Sequence, residues 1–148
     1  MNVLKPVSTI MTPNPLTVQV DDRLSIVSQL FANNKIHHLP VVDKEMLVGI
    51  ISKSDFLFFK KGFANTENDK SLEEVRLNNY TAKDIMTSKL AKLEPNDKIN
   101  VALEIFKENL FHGIPVVDGN KIVGIVTTYD IIKHLSIDNE AHASYDSV

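Results

Sequence analysis

Two short stretches place a hydroxyl and a carboxylate three residues apart, each directly after an apolar run. They are Ser52-Lys53-Ser54-Asp55 and Thr127-Thr128-Tyr129-Asp130. At the start of a helix this spacing is a capping box with aspartate in place of glutamate, and helix stability alone would explain it. The same helix start offers free N–H groups to a phosphate, and its carboxylate can accept two hydrogen bonds from a ribose diol. From the residues alone, both interpretations stay open.

These stretches are equivalent positions of an internal repeat. A shift of 75 residues aligns Val7–Leu57 with Ala82–Ile132 without a gap. Identical segments recur, so the chain contains a duplication and not merely a biased composition. Three pairs of segments carry most of the identity: Ile10-Met11-Thr12 with Ile85-Met86-Thr87, His37-His38-Leu39-Pro40-Val41-Val42-Asp43 with His112-Gly113-Ile114-Pro115-Val116-Val117-Asp118, and Val48-Gly49-Ile50 with Val123-Gly124-Ile125.

Each copy predicts the same order of elements, β-α-β-β-α, after a short helical turn. Apolar residues at helical spacing predict the first long helix, and Asp21 and Asn96 are its expected N-caps in the two copies. The last helix is expected to begin at Ser52 or Thr127. The predicted strands are Leu16–Val20, Leu39–Val42 and Leu47–Ile51 in the first copy, and Ala91–Leu93, Ile114–Val117 and Ile122–Val126 in the second.

The repeat divides the chain into four parts. We assign residues 1–61 to the first copy, 62–80 to a connecting segment, 81–136 to the second copy and 137–148 to a polar tail. The expected fold class is α+β (mixed α/β), with both copies in one compact domain.

Composition excludes several kinds of protein. The 148 residues contain no cysteine, which rules out disulfides, thiolate zinc sites and iron–sulfur clusters. A net charge of −3 does not suit a nucleic-acid binder. We see neither a membrane-spanning stretch nor a signal peptide, and expect a cytoplasmic protein. No phosphate-binding glycine loop or nucleophile motif is present, so we expect no enzyme activity.

The repeated segments together resemble the CBS domain family in its tandem form, the Bateman module. The resemblance covers Ile-Met-Thr, the His-x-φ-Pro-Val-Val-Asp segment and the Val-Gly-Ile-x-Ser/Thr-x-x-Asp segment of both copies, where φ is Leu39 or Ile114. It implies two pseudo-twofold-related β-α-β-β-α repeats packed as one compact module. It also implies a regulatory role in which adenosine ligands (AMP, ADP, ATP and sometimes S-adenosylmethionine) bind in clefts between the copies, with no other cofactor required.

The resemblance implies two nucleotide sites that each draw residues from both copies. In both, the aspartate would bind ribose, and the Ser/Thr would lie near the sugar or the phosphate. Residues of the first site would be Thr127, Asp130, Ile125, Thr12, Leu16, Ile36 and His37. Residues of the second site would be Ser52, Asp55, Ile50, Thr87, Ala91, Phe111 and His112.

The histidines add a possible charge to these sites. Taken alone, a histidine near a strand is usually structural or exposed. The resemblance implies that basic residues here face phosphates, and His38 stands where arginine is common in nucleotide-binding members. Gly113 takes the matching place in copy two, which weakens one site for phosphate. His37 and His38 are adjacent on a strand and point to opposite faces, so we expect no metal site.

We therefore predict a module that senses adenine nucleotides and transmits occupancy to an unidentified partner protein, without nucleic acid or membrane insertion. The alternative is a ligand-free dimerisation or scaffold module. Phe56, Phe58, Phe59 and Phe63 are too many rings for the core of one short helix. Some of them should contact a second copy. The resemblance likewise implies a homodimer, a disc of four repeats.

Overall fold

The structure is a computed structural model that describes residues 1–62, 70–109 and 111–140. Its strands are β1 (Thr12–Pro13), β2 (Val18–Gln19), β3 (His38–Asp43), β4 (Met46–Ser52), β5 (Gly113–Asp118) and β6 (Lys121–Thr127). Its α-helices are α1 (Leu24–Asn33), α2 (Lys53–Lys61), α3 (Lys70–Asn79), α4 (Ala82–Ile85), α5 (Ile99–Asn109) and α6 (Thr128–Glu140), and a 3-10 turn spans Val7–Thr9. The fold is therefore mixed α+β, as predicted.

The chain forms two compact units. We call them the Asp130 unit, which consists of Met1–Pro15 with Ala91–Val148, and the Asp55 unit, which consists of Leu16–Leu90. These boundaries differ from the linear order of the repeat. Each unit takes its Ile-Met-Thr segment from one copy and its long helices and hairpin from the other.

In the Asp55 unit, β2 pairs in parallel with β3, and β3 pairs antiparallel with β4. A bridge between Ile50 and Thr87 adds the segment after α4 to the edge of β4. Continuous burial of Leu39–Val42 agrees with the predicted apolar strand. The core comprises Val18, Leu24, Val27, Phe31, Leu39, Val41, Ile51, Phe56, Leu77 and Ala82.

The Asp130 unit repeats this arrangement. β5 and β6 form an antiparallel hairpin, and β1 pairs antiparallel with β6, which sets Thr12 opposite Ile125. The predicted strand Ala91–Leu93 is reduced to one bridge, from Leu93 to Val116. The core comprises Val7, Ile10, Leu93, Ile99, Ala102, Ile114, Val116, Val126 and Ile131.

In each unit a methionine side chain packs directly against a glycine of the second hairpin strand. A Cβ added to Gly124 would lie 3.0 Å from Cγ of Met11, and one added to Gly49 would lie 2.9 Å from Cγ of Met86. The methionine Sδ would lie closer still in both cases, so a Cβ at either position would require the methionine side chain to move, whereas glycine leaves room for it. The Ile-Met-Thr segment can therefore lie close against the strand, next to the candidate site residue Thr12 or Thr87.

The predicted N-caps Asp21 and Asn96 were wrong. Helix α1 begins at Leu24 after Arg23, which makes no side-chain cap, and α5 begins at Ile99. Their first N–H groups donate instead to backbone carbonyls, from Leu24 to Tyr80 at 2.9 Å and from Ile99 to Lys5 at 3.0 Å. A neighbouring segment thus does the work that a capping side chain would otherwise do.

The connecting segment, residues 62–80, contains helix α3. Leu77 is buried in the core of the Asp55 unit, and Lys60 of α2 forms a salt bridge of 2.6 Å with Glu73. Helix α6 continues to Glu140, into the predicted tail, whose remainder lies outside the described residues, as does Phe63. Among the described helices, none combines the length and apolar character that crossing a bilayer requires.

Candidate functional site

The Thr127-x-x-Asp130 stretch forms a complete capping box at the start of α6. Asp130 Oδ2 accepts from the Thr127 backbone N–H at 2.8 Å and from the Thr127 hydroxyl at 2.7 Å. In return, the Asp130 N–H donates to Thr127 Oγ1 at 3.2 Å. Asp130 is only 7% exposed. One carboxylate oxygen is therefore occupied by helix capping, as the structural interpretation predicts.

The other oxygen of the same carboxylate faces the first copy. Thr12 Oγ1 lies 3.4 Å from Asp130 Oδ1, and Thr12 is exposed. This long, weak hydrogen bond leaves Oδ1 with room for a better donor. The Asp130 unit thus brings Thr12, Ile125, Thr127 and Asp130 together, all of which the sequence assigned to one site.

The Ser52-x-x-Asp55 stretch caps α2 with only one of the two hydrogen-bond directions of a capping box. The Asp55 N–H donates to Ser52 Oγ at 3.0 Å. Asp55 is exposed, and no donor to its carboxylate is found within the described ranges. The carboxylates of Asp55 and Asp130 occur in the same Ser/Thr-x-x-Asp pattern. They nevertheless differ in burial and in the number of hydrogen bonds that they accept.

A cavity of about 470 Å³ opens beside Asp55. It joins Asp55 to Thr87, two residues that the sequence assigned to the same site, while Ile50 and Thr87 are held together by backbone hydrogen bonds of 2.9 and 3.0 Å. Its described lining residues are Asp55, Phe58, Phe59, Gly62, Asp84, Ile85 and Thr87.

Asp84 is not among the residues predicted for this site, although the sequence contains a signal for it. Thr81-Ala82-Lys83-Asp84 has the same hydroxyl-to-carboxylate spacing as the other two stretches. Asp84 Oδ2 accepts from the Thr81 N–H at 2.7 Å and from the Thr81 hydroxyl at 3.2 Å, which caps α4. Asp84 remains exposed at the cavity.

The remaining predicted site residues lie in the opposite unit from their assigned aspartates. Leu16, Ile36, His37 and His38 belong to the Asp55 unit. Leu16 and His37 are exposed, whereas Ile36 and His38 are half-buried. Ala91, Phe111 and His112 belong to the Asp130 unit. Their assignment to the nucleotide sites stays a prediction.

Backbone contacts place two of these histidines near the helix starts. The Lys53 N–H donates to the His37 carbonyl at 2.8 Å, and the Thr128 N–H donates to the His112 carbonyl at 3.1 Å. Each histidine therefore lies next to the first residue of α2 or α6 within its own unit. His38 pairs with Ser52 across β3 and β4.

The same two copies emerge from comparison with known families. The family model of the CBS domain matches residues 7–62 and again residues 82–137. The chain belongs to the CBS domain family. Both matches contain the Ile-Met-Thr segment and the Ser/Thr-x-x-Asp stretch of their copy, so this chain carries a tandem CBS pair.

Relatives and solved structures agree with this assignment. The chain is 30% identical over 132 residues to the uncharacterized protein MJ1225 of Methanocaldococcus jannaschii, covering 85% of this chain and 45% of that protein. It thus spans less than half of that relative.

Two solved CBS structures contain adenosine compounds. The CBS domain pair of protein MJ0100, in complex with 5′-methylthioadenosine and S-adenosyl-L-methionine, is 26% identical with a TM-score of 0.74, and the match covers 91% of this chain and 98% of that chain. CBSX2 in complex with AMP is 26% identical with a TM-score of 0.73, and the match covers 90% and 98%.

Proposed function

We propose that this chain is a regulatory module that binds adenine nucleotides of the AMP, ADP and ATP class and transmits occupancy to a partner protein. It acts by binding and not by catalysis. The observation that carries the proposal is the Asp130 carboxylate, whose Oδ1 faces Thr12 at the start of α6. The AMP complex of CBSX2 and the adenosine complexes of MJ0100 support it as properties of related pairs.

The chemistry of the Asp130 site suits a nucleoside with a phosphate. An ionised carboxylate that accepts from a diol makes charge-assisted hydrogen bonds, which are shorter and stronger than neutral ones. The start of a helix of 13 residues adds positive potential for a phosphate. The exposed Thr12 hydroxyl can turn from Asp130 towards the bound ligand when a ligand hydroxyl donates to Asp130 Oδ1 in its place.

Binding would act on a partner only if the ligand prefers one arrangement of the chain over another. A ligand with equal affinity for both arrangements shifts nothing, however tightly it binds. Thr12 and Asp130 come from different copies of the repeat, so a ligand that holds both restrains one copy's first segment against the other copy's last helix.

Titration of the chain with AMP, ADP, ATP and S-adenosylmethionine, followed by thermal unfolding, tests the proposal. A ligand at a hundredfold excess over its Kd stabilises by about 2.7 kcal/mol, which corresponds to a rise in Tm of about 5–10 °C. No rise with any of the four at millimolar concentration would contradict nucleotide binding and favour the scaffold alternative.

Matched variants locate the site. Thr12→Val removes the hydroxyl at constant size, and Asp130→Ala removes the carboxylate; both should weaken AMP binding, Asp130→Ala more than Asp55→Ala. Asp118→Ala removes an exposed carboxylate at the hairpin end of β5 and should leave AMP affinity unchanged. Equal losses from Asp118→Ala and Asp130→Ala would mean that only net charge matters.

Exposed apolar side chains favour a second role, self-association into a homodimer. Phe58 is 81% exposed on α2, and Tyr129 and Ile132 are 70% and 62% exposed on α6. Phe56 belongs to the core and Phe59 is half-buried against it, so among the described rings of α2 only Phe58 remains as an exposed dimer contact. Ile132→Glu should convert a dimer to a monomer in light scattering, and a wild-type monomer at high concentration would refute the homodimer.

A further inference from the structure

Met11 and Met86 occupy equivalent positions of the repeat and make the same contact in their units. The glycines against which they pack, Gly124 and Gly49, are also equivalent in the repeat. In both units, Sδ is the atom nearest to the point where the glycine would carry a Cβ. Each thioether sulfur therefore lies directly on the backbone of the second hairpin strand.

Both methionines lie at the edge of a core and not inside it. Met11 packs against the core of the Asp130 unit and Met86 against the core of the Asp55 unit, and both side chains are half-buried. Part of each side chain is therefore open to small solutes. A polar group formed at the sulfur would lie against apolar neighbours, which costs free energy unless it finds a hydrogen-bond donor.

Methionine is the residue of this chain that reacts most readily with a peroxide. The sequence contains four methionines and neither cysteine nor tryptophan. In the reaction, a lone pair of the thioether sulfur attacks one peroxide oxygen, the O–O bond breaks and an S–O bond forms. Sulfur loses two electrons to the peroxide. The proton of the transferred oxygen moves to the departing oxygen, which leaves as water.

We propose that Met11 and Met86 are sites of reversible oxidation by peroxides, and that their sulfoxides release the two Ile-Met-Thr segments from the hairpins. Oxidation makes the side chain bulkier and polar at the point where its sulfur lies on glycine. The segment then has to move away from the strand. Thr12 or Thr87, the next residue of each segment, moves with it.

The segment that contains Met86 should be released more readily than the segment that contains Met11. Thr87 is joined to the hairpin by its bridge to Ile50, with backbone hydrogen bonds of 2.9 and 3.0 Å. The first segment has two residue pairs between β1 and β6, and the Asn14 N–H donates to a β6 carbonyl at 3.1 Å. More backbone pairing therefore opposes the release of the first segment.

Treatment of the full chain with hydrogen peroxide tests the proposal. Peptide mass spectrometry should find sulfoxides at Met11 and Met86 of the native chain, with a fall in Tm of about 5 °C. The amides of Ile50 and Thr87 should exchange hydrogen about tenfold faster, and that of Asn14 less so, while the amides that pair β3 with β4 stay protected. Methionine sulfoxide reductases should restore both Tm and exchange.

Leucine variants provide the matched control, because leucine has nearly the volume of methionine and no sulfur. The double variant Met11→Leu, Met86→Leu should lose most of the fall in Tm with peroxide. Met46→Leu removes a methionine that is 44% exposed at the start of β4 and should leave this fall unchanged. Mass spectrometry and hydrogen exchange on the wild-type chain test the proposal even if the double variant does not fold.

Two results would overturn the proposal. One is oxidation of Met46 in the native chain without oxidation of Met11 and Met86. The other is oxidation of Met11 and Met86 with unchanged exchange at Ile50 and Thr87. Either result leaves the proposed function standing, since no nucleotide enters these measurements, and a failure of nucleotides to bind would likewise leave the oxidation sites standing.

Discussion

Thr12 Oγ1 and Asp130 Oδ1 lie 3.4 Å apart, although 118 residues separate them along the chain. One belongs to the first copy of the repeat and the other to the second. Oδ1 is the carboxylate oxygen that is available to a ligand, because among the described residues it accepts only the long bond from Thr12. The other oxygen, Oδ2, already accepts two hydrogen bonds from Thr127. Site and capping therefore share a single carboxylate, and their contributions have to be separated by measurement.

Removal of the two aspartates should affect stability unequally. Asp130→Ala removes the carboxylate that accepts from the Thr127 N–H and hydroxyl, while the backbone N–H of residue 130 can still donate to Thr127 Oγ1, and it should lower the free energy of unfolding by about 1–2 kcal/mol. Asp55→Ala removes an exposed carboxylate in the first turn of α2 and should cost about 0.5 kcal/mol, the usual size of a helix-dipole interaction. Urea denaturation without ligand measures both, and equal costs would contradict the difference in burial.

The two hairpin turns offer a matched pair of variants. Lys44 has φ 58° in the first turn, and its repeat equivalent Gly119 has φ 64°. A left-handed conformation strains a side chain but not glycine. Lys44→Gly should therefore raise the free energy of unfolding by about 0.5–1 kcal/mol, and Gly119→Lys should lower it. Denaturant titration checks both signs. A loss with Lys44→Gly would mean that the lysine side chain contributes more than the strain costs.

The effects of substitutions at Met11 and Gly124 on the free energy of unfolding should depend on each other. Gly124→Ala places a Cβ within the space of Met11 and should cost about 1–3 kcal/mol through overpacking. In the double variant with Met11→Ala the clash is gone, so the loss should be smaller than the sum of the single losses. A double-mutant cycle measures this coupling, and strict additivity would place the cost of Gly124→Ala elsewhere.

The fragment 16–90 should fold alone, and the fragment 1–61 should not. The longer fragment contains the complete Asp55 unit, including Leu77 and Ala82 of its core. It also keeps the hydrogen bond of 2.8 Å from the Ala82 N–H to the Asp22 carbonyl. The fragment 1–61 ends before these residues. Circular dichroism during thermal unfolding should show a cooperative transition for 16–90 only. Cooperative unfolding of 1–61 would show that α3 and α4 are dispensable.

The sequence predicted the elements that depend on local pattern. Apolar runs located Leu39–Val42 and Ile114–Val117, and both are buried throughout. The hydroxyl-to-carboxylate spacing located the starts of α2 and α6. Periodicity and capping act within a few residues, so they can be recognised without knowledge of the rest of the fold.

Features that depend on distant neighbours could not be predicted in this way. Asp21 and Asn96 were expected to cap helices whose first N–H groups bind carbonyls of remote segments. Asp55 and Asp130 have the same local pattern, yet only Asp130 is buried. Burial and hydrogen bonding of this kind are set by tertiary packing, which a single sequence does not display.

The exchange of first segments between copies also bears on how such a chain arises. Each copy's Ile-Met-Thr segment pairs with the hairpin of the other copy, so a single copy that kept this pairing would have to take the segment from a second molecule, as in domain swapping. Fusion of two copies makes this exchange intramolecular. The pairing of segment and hairpin then no longer depends on protein concentration, because the linked segment has a constant effective concentration near the hairpin. Duplication would thus have turned an association equilibrium into a property of one polypeptide.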